Sequence, residues 1–214
     1  VRKNDGGDDV RFAYGCCVGS WEKFQRNVVP HVGPNRPLLA LAGSDSIVFT
    51  YNLILDAFAG DVDALVLLHD DLEITDPDAE LKFADALAED DVELVGVAGG
   101  GGKSLYWWEH DPVGHQPTDV MNIDFGRRTG DVELIEGSIM VLSRWAIENV
   151  RFDSRFTGFH GYDEIAMQVR AQGKRVVVED VDTHHHNPMG YRSPESAAEC
   201  RRANQLYREK WNLQ

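Results

Sequence analysis

The chain has 214 residues, 43% of them hydrophobic, which suits one folded α/β domain and argues against disorder. Its 36 acidic and 21 basic side chains leave a formal charge of −15. Such a surface repels nucleic-acid phosphates and anionic lipid, so neither is expected as a partner, and an anionic substrate would need a local reversal of that field, for which a divalent cation is the usual device.

Three cysteines (Cys16, Cys17 and Cys200) form no spacing pattern and read as buried thiols of a reducing compartment. No apolar run approaches the roughly 20 residues of a membrane span, and no signal peptide is visible. These features predict a cytoplasmic protein with no membrane span.

Residues 1–9 read as a disordered lead and residues 10–214 as one domain. FAYGCCV (Phe12–Val18) reads as a buried strand, and Ser20 as the cap of a helix with Trp21, Phe24 and Val28 inward. PLLALAG gives a second strand. Ser44-Asp45-Ser46 then makes a turn or N-cap before a helix with Ile47, Tyr51, Ile54, Leu55 and Phe58 at helical spacing. ALVLL is a third strand, Asp76-Pro77 opens a helix with Leu81, Ala84, Leu87 and Ala88 inward, and ELVGVA is a fourth strand followed by four glycines. This alternation predicts a mainly parallel sheet covered on both faces. After residue 99 the pattern changes. An irregular stretch with Trp107 and Trp108 leads to ELIEGSIMVLS, a short helix from about Ser143, a helix near residues 163–172 and the strand RVVVEDV. A last helix from Ser193-Pro194 turns Cys200, Ala203, Tyr207 and Trp211 inward.

Four stretches carry candidate chemistry. The third strand runs into His69, Asp70 and Asp71, and ligands of parallel sheets bind beyond the carboxyl ends of the strands. Two carboxylates there suit a hard cation such as Mg2+ or Mn2+ that would in turn hold a diphosphate; the bland alternative is a solvated strand end. GVAGGGGKS resembles a Walker A loop, but the glycine required at position 97 is Val97, so the segment reads instead as a flexible loop over a site. GFHGYDEIAMQVRAQGKRVVV (residues 158–178) delivers Asp163 and Glu164 to a helix N-terminus, either as caps or as a general base whose pKa the helix dipole would lower. In VDTHHHNP, an extended chain points His184 and His186 one way and His185 the other, as metal ligands or as a surface cluster.

In this order and spacing the motifs resemble the GT-A fold glycosyltransferases, specifically the family 2-like group and, within it, the small set named for a streptomycin-biosynthesis protein. The matching stretches are TYNLILDAFAGDVDALVLLHDDLEI, GFHGYDEIAMQVRAQGKRVVV and VDTHHH, and the resemblance spans about residues 10–190. It implies a GT-A type fold: a mainly parallel nucleotide-binding sheet flanked by helices, with a mixed back half. It also implies a metal-dependent transfer of sugar from a nucleotide-diphosphate donor to a hydroxyl of a carbohydrate or small-molecule acceptor, with inversion. By resemblance Asp71 binds the cation, His69 or Asp70 faces the donor's ribose or diphosphate, and His184 or His186 completes the metal site. Ser44, Asp45 and Asn52 fall on the donor side. Asp163 matches the Asp of the family's Glu-Asp pair and would be the base, but Tyr162 stands where that pair has Glu, and Glu164 is the alternative. Trp107, Trp108 and Phe159 would offer flat surfaces to a sugar ring, with core packing as the bland alternative. The rival readings are a nucleotidyltransferase, a nucleotide-sugar- or carbohydrate-binding domain without turnover, and a zinc hydrolase built on the three histidines.

Overall fold

A computed structural model describes residues 10–43, 46–102, 105–156, 159–186 and 194–213. Residues 1–9, Ser44 and Asp45 lie outside the described residues. The elements run β1 (Phe12–Val18), α1 (Trp21–Asn27), β2 (Leu38–Ala42), α2 (Ile47–Phe58), β3 (Ala64–His69), β4 (Leu72–Ile74), α3 (Ala79–Leu87), β5 (Val92–Gly96) and β6 (Ala98–Gly100). Then follow β7 (Val113–Pro117), β8 (Asn122–Asp124), β9 (Gly130–Val132), β10 (Leu134–Ile135), β11 (Ile139–Ser143), α4 (Arg144–Asn149), α5 (Gly161–Ala171), β12 (Arg175–Val178), β13 (Thr183–His185) and α6 (Pro194–Trp211).

The main sheet has the order β2-β1-β3-β11-β5-β12-β9. β1 pairs in parallel with β2 and β3, and β5 with β12, while β11 and β9 run antiparallel to their neighbours. The mainly parallel prediction therefore holds. Alternation along the strands divides the core. Ala13, Leu65, Leu67, Met140 and Leu142 pack against α2, α4 and α5, whereas Tyr14, Cys16, Val66, Leu68 and Val141 pack against α1 and α3. Gly15 is needed for the first of these contacts, since a Cβ there would lie 2.5 Å from Ile54 Cγ2. A smaller cluster of Trp107, Leu134, Phe156, Ala203 and Tyr207 seats α6 on the back half.

Ser20, Ser46 and Ser143 each accept a hydrogen bond from the backbone N–H three residues on, so hydroxyl caps set the starts of α1, α2 and α4. Gly173, at φ +76°, follows the end of α5. Two helix faces differ from expectation. Trp21 is exposed and Phe24 holds the interior alone in that turn; in α3 the buried residues are Ala79, Phe83 and Ala86, and Leu81 is 62% exposed. In both helices a phenylalanine takes the interior position and the apolar side chain expected there is exposed. The glycine run is also different: Ala98–Gly100 is strand β6, buried between β10 and β7. A Cβ on Gly99 would meet Leu134 O at 2.4 Å and one on Gly100 would meet Trp107 O at 2.0 Å, so these glycines permit close backbone packing rather than loop motion.

All three cysteines are free thiols. Among the described residues no helix is long and apolar enough to cross a membrane.

Candidate functional site

β3 ends at the carboxyl edge of the parallel strands, and His69 is its last residue. The chain then turns through Asp70 and Asp71 into β4, which pairs antiparallel with β13, so His185 lies opposite Leu72 and His184 opposite Glu73. His186 N donates to Asp71 O at 2.9 Å and closes this short ladder. The ladder brings His185 Nε2 within 3.3 Å of Asp71 Oδ1, and the His69 and His185 rings sit 5.6 Å apart. One donor atom from each of His69, Asp71 and His185 lies within 4.8 Å of the others.

Each neighbour has a physical role. Lys23 Nζ, from α1, donates to Asp71 Oδ2 at 3.1 Å. Burial would raise the Asp71 pKa, but His185, His69 and Lys23 hold it far below the usual carboxylate range. Burial pulls the His185 pKa down, and its hydrogen bond to Asp71 with the charges of Glu136 and Asp71 more than reverses this, so the net shift is upward. His69 is shifted the other way, by burial and then by His185. The Tyr162 hydroxyl lies 2.9 Å from His69 Nε2 and orients that ring. Gly137 lets Tyr162 in: a Cβ there would lie 1.8 Å from Tyr162 Cδ2.

The alternation read for His184–His186 is present, with a different member at Asp71. His185 faces Asp71 and His69, while His184 and His186 face Asp119. The ladder with β4, invisible as a strand in the sequence, decides this. Asp70 points back into the β1–α1 turn, where its Oδ2 accepts from Gly19 N at 2.8 Å and Ser20 N at 2.6 Å. Asn52 is tied up with the backbone of Phe152, donating to its O and accepting from its N, both at 2.8 Å.

The second half of the site lies at α5. His160 precedes the helix in the left-handed region at φ 61° and places Nδ1 2.8 Å from Asp163 Oδ2 and Nε2 2.6 Å from Asn204 Oδ1. Burial raises the Asp163 pKa, and His160 only partly opposes it. That reverses the lowering expected from the helix end. Glu164, the next residue, is fully buried, with Lys210 Nζ 2.5 Å from Oε1 and Gln168 Nε2 2.7 Å from Oε2. Its oxygens serve the attachment of α6. Trp108, exposed, stacks on Tyr106 at 4.7 Å, Tyr106 on His160 at 6.0 Å, and His160 on Tyr207 at 4.6 Å. Trp107 is core, and Phe159 is half-buried against the same cluster.

Glu136 was not singled out from the sequence. Its Oε2 accepts from Ser138 N at 2.8 Å, from Ser138 Oγ and from Gln116 Nε2 at 3.1 Å. No hydrogen bond reaches Oε1 among the described residues. Its charge acts on His69, His185, Tyr162 and Asp163 alike, which places it between the two halves of the site. The only hint in the sequence was a carboxylate flanked by apolar residues and a glycine.

The donor set fits a divalent cation. Two imidazoles and an ionised carboxylate converge, and His185 Nδ1 is buried with no hydrogen-bond partner among the described residues. In overall shape the chain is similar to GalNAc-T7, whose crystal structure contains UDP, GalNAc and Mn2+, with TM-score 0.62 and 9% identity over 94% of this chain and 48% of that one. The fold is that of the GT-A glycosyltransferases. It is also similar to A197 from STIV (TM-score 0.54, 14% identity, 82% of this chain and 85% of that one). No protein-family model matches the chain. In sequence it is 37% identical over 187 residues to the streptomycin biosynthesis protein StrF of Streptomyces griseus, an alignment covering 81% of this chain and 66% of StrF. The chain thus spans just under two thirds of that curated relative.

Proposed function

We propose that this GT-A chain is a metal-dependent glycosyltransferase that moves a sugar from a nucleotide-diphosphate donor to an acceptor hydroxyl, with inversion at the anomeric carbon. The convergence of His69, Asp71 and His185 at the end of β3 carries the reading. UDP and Mn2+ in GalNAc-T7 are ligands of the classes this donor set suits. Two imidazoles favour Mn2+ over Mg2+, which prefers an all-oxygen shell. A cation held there supplies electrostatic stabilisation of the charge that develops on the leaving diphosphate.

The remaining roles belong to side chains. Lys23 adds a positive charge beside Asp71, and Tyr162 fixes His69. Asp163 takes the proton of the acceptor hydroxyl; its raised pKa makes it a stronger base than an exposed carboxylate, and His160 holds it in place. Glu136, whose Oε1 makes no hydrogen bond among the described residues, would take a sugar hydroxyl. Trp108, at the open end of the ring stack, offers a flat face to the acceptor. Asp70, Asn52 and Glu164 act on the fold, and His184 and His186 lie outside this cation site.

Calorimetric titration of UDP and GDP, with and without Mn2+, on the wild type and on Asp71→Ala tests the donor site. Binding that requires both Mn2+ and Asp71 is expected; binding in neither case overturns the reading. Tyr162, in place of the family's Glu, favours a second reading: a domain that binds donor without turnover. Transfer activity that falls about 10²–10⁴-fold in Asp163→Asn would decide against it.

A further inference from the structure

We propose that Asp119, His184 and His186 form a second metal site, separate from the one at Asp71 and suited to a transition metal of the zinc type, with Glu73 as a positioning residue. The site follows from strand geometry. Successive side chains of β13 leave on opposite sides, so with His185 committed to Asp71, His184 and His186 emerge together on the other side, their ring centroids 4.5 Å apart. The third ligand comes from the turn after β7. There Thr118 Oγ1 donates to Met121 O at 2.8 Å and accepts from Met121 N at 3.0 Å, fixing the turn that carries Asp119.

Asp119 Oδ1 lies 2.8 Å from His184 Nε2 and 3.3 Å from His186 Nδ1. One donor atom from each of the three residues lies within 4.8 Å of the others. Around a tetrahedral ion with bonds of about 2.0–2.1 Å, ligand atoms stand roughly 3.3 Å apart, so little movement separates this arrangement from a coordination shell. The other nitrogen of His186 provides an independent indication. Its Nε2 is shielded from solvent, makes no hydrogen bond among the described residues, and has Glu73 Oε1 at 3.2 Å as an ion-pair neighbour. A carboxylate behind an imidazole is the arrangement that fixes the tautomer of a metal-ligating histidine. Two imidazoles and one carboxylate, with a fourth position open to water, suit Zn2+.

A comparable group, His115 with Asp180 and Asp182, is less suited: Arg128 Nη1 already lies 3.7 Å from Asp180 and Lys82 donates to the Asp180 carbonyl. Among the described residues no Lys or Arg ion-pairs with Asp119. A metal at Asp119, His184 and His186 would tie the β7–β8 turn to the β4–β13 ladder that presents His185.

The test is calorimetric titration of Zn2+ into the full chain after chelator treatment, with the visible spectrum of the Co2+-loaded protein as a second readout. In His185→Ala and in Asp71→Asn, which disable the first site, one Zn2+ should still bind and Co2+ should give four-coordinate bands. Adding His184→Ala and His186→Ala should abolish both signals. Adding Glu73→Gln instead should weaken Zn2+ binding about 10–100-fold. Asp119→Asn sits on an exposed turn, keeps the fold, and should also weaken binding. Loss of all zinc binding in both His185→Ala and Asp71→Asn, or binding that survives replacement of Asp119, His184 and His186, would overturn the proposal.

Discussion

Replacing Lys210 with Met separates the structural from the chemical role of the two carboxylates that open α5. Lys210 Nζ lies 2.5 Å from Glu164 Oε1 and 2.7 Å from Asp153 Oδ2. Asp153 keeps Arg155, whose Nη2 is 2.6 Å away, so it remains paired without Lys210. Glu164 does not: it is fully buried and, among the described residues, would retain only the hydrogen bond from the Gln168 amide at 2.7 Å. Stranding a buried charge costs about 3–5 kcal/mol. The retained amide bond and the quarter exposure of Lys210 place this case near the lower end, at about 3 kcal/mol. For a domain of this size that is a fall in Tm of about 6–12 °C. Thermal unfolding followed by circular dichroism measures it. Glu164→Gln combined with Lys210→Met removes the stranded charge and should recover at least about half the loss, because an amide at 164 still bonds Gln168. A fall below about 2 °C, or a double variant no better than the single, would refute the assignment of Glu164 to the anchoring of α6. At a temperature where every variant is folded, the double variant should keep its kcat while Asp163→Asn loses it.

Gly137→Ala should push the Tyr162 ring off His69, costing about 1–3 kcal/mol of stability and weakening Mn2+-dependent UDP binding, both readable by urea unfolding and calorimetry. Asn52→Ala removes two hydrogen bonds to Phe152 and should cost about 1–3 kcal/mol while leaving nucleotide affinity unchanged; a selective loss of affinity would return Asn52 to the donor site. The acid limb of kcat/KM should lie above the ordinary carboxylate range, because burial raises Asp163, and His160→Gln should move it higher still, because His160 is the group that lowers it. The same pair sets the pH dependence of stability. For His160, burial lowers the pKa but the hydrogen bond and charge of Asp163 and the bond to Asn204 raise it further, so its folded value lies above the unfolded one. Its contribution is therefore complete below about pH 6.5 and disappears as pH rises through the folded value, and His160→Gln should flatten that part of a Tm-against-pH curve.

The front half of the fold was legible because β1, β2, β3 and β5 are short apolar runs, closed by a glycine after β1 and β2, by polar His69-Asp70-Asp71 at β3 and by Gly96 at β5, and because α2 repeats at helical spacing. Phase was less legible. In α1 and α3 the choice between Trp21 and Phe24, or Leu81 and Phe83, depends on the depth of the pocket beneath, which one sequence does not state. The back half was opaque because β6–β10 are strands of two to five residues rich in Gly, Pro and Asp, held by pairing to distant segments rather than by their own periodicity. The site was legible in part for the same reason. His69, Asp71 and Asp163 stand at element ends the sequence marks. His185 reaches Asp71 only through the three-residue ladder of β4 and β13, and Glu136 enters the site only because β11 inserts between β3 and β5. Two adjacent carboxylates looked equivalent in each motif; backbone direction separated Asp70 from Asp71, and the position of Lys210 separated Asp163 from Glu164.

The net charge of −15 poses a physical problem for the proposed function, under which a nucleotide diphosphate would have to approach an acidic protein. The site answers it locally. Asp71 is already matched by Lys23 at 3.1 Å and by His185 at 3.3 Å, so its own charge is compensated before any ligand arrives. A divalent cation joining these ligands adds two positive charges and displaces at most one proton from His185, whose raised pKa makes that release dependent on pH. The local field therefore gains at least one positive charge, worth about 4 kcal/mol toward a phosphate oxygen some 4 Å away at an effective dielectric of about 20. A surface that repels phosphates generally would then attract one at this edge of the sheet, and only with the metal in place. Donor affinity that rises with Mn2+ and, with Mn2+ present, rises with pH through the His185 titration, above the ordinary imidazole value of about 6.5, is the outcome this electrostatic account requires; metal-independent affinity, or affinity that does not change with pH there, would rule it out.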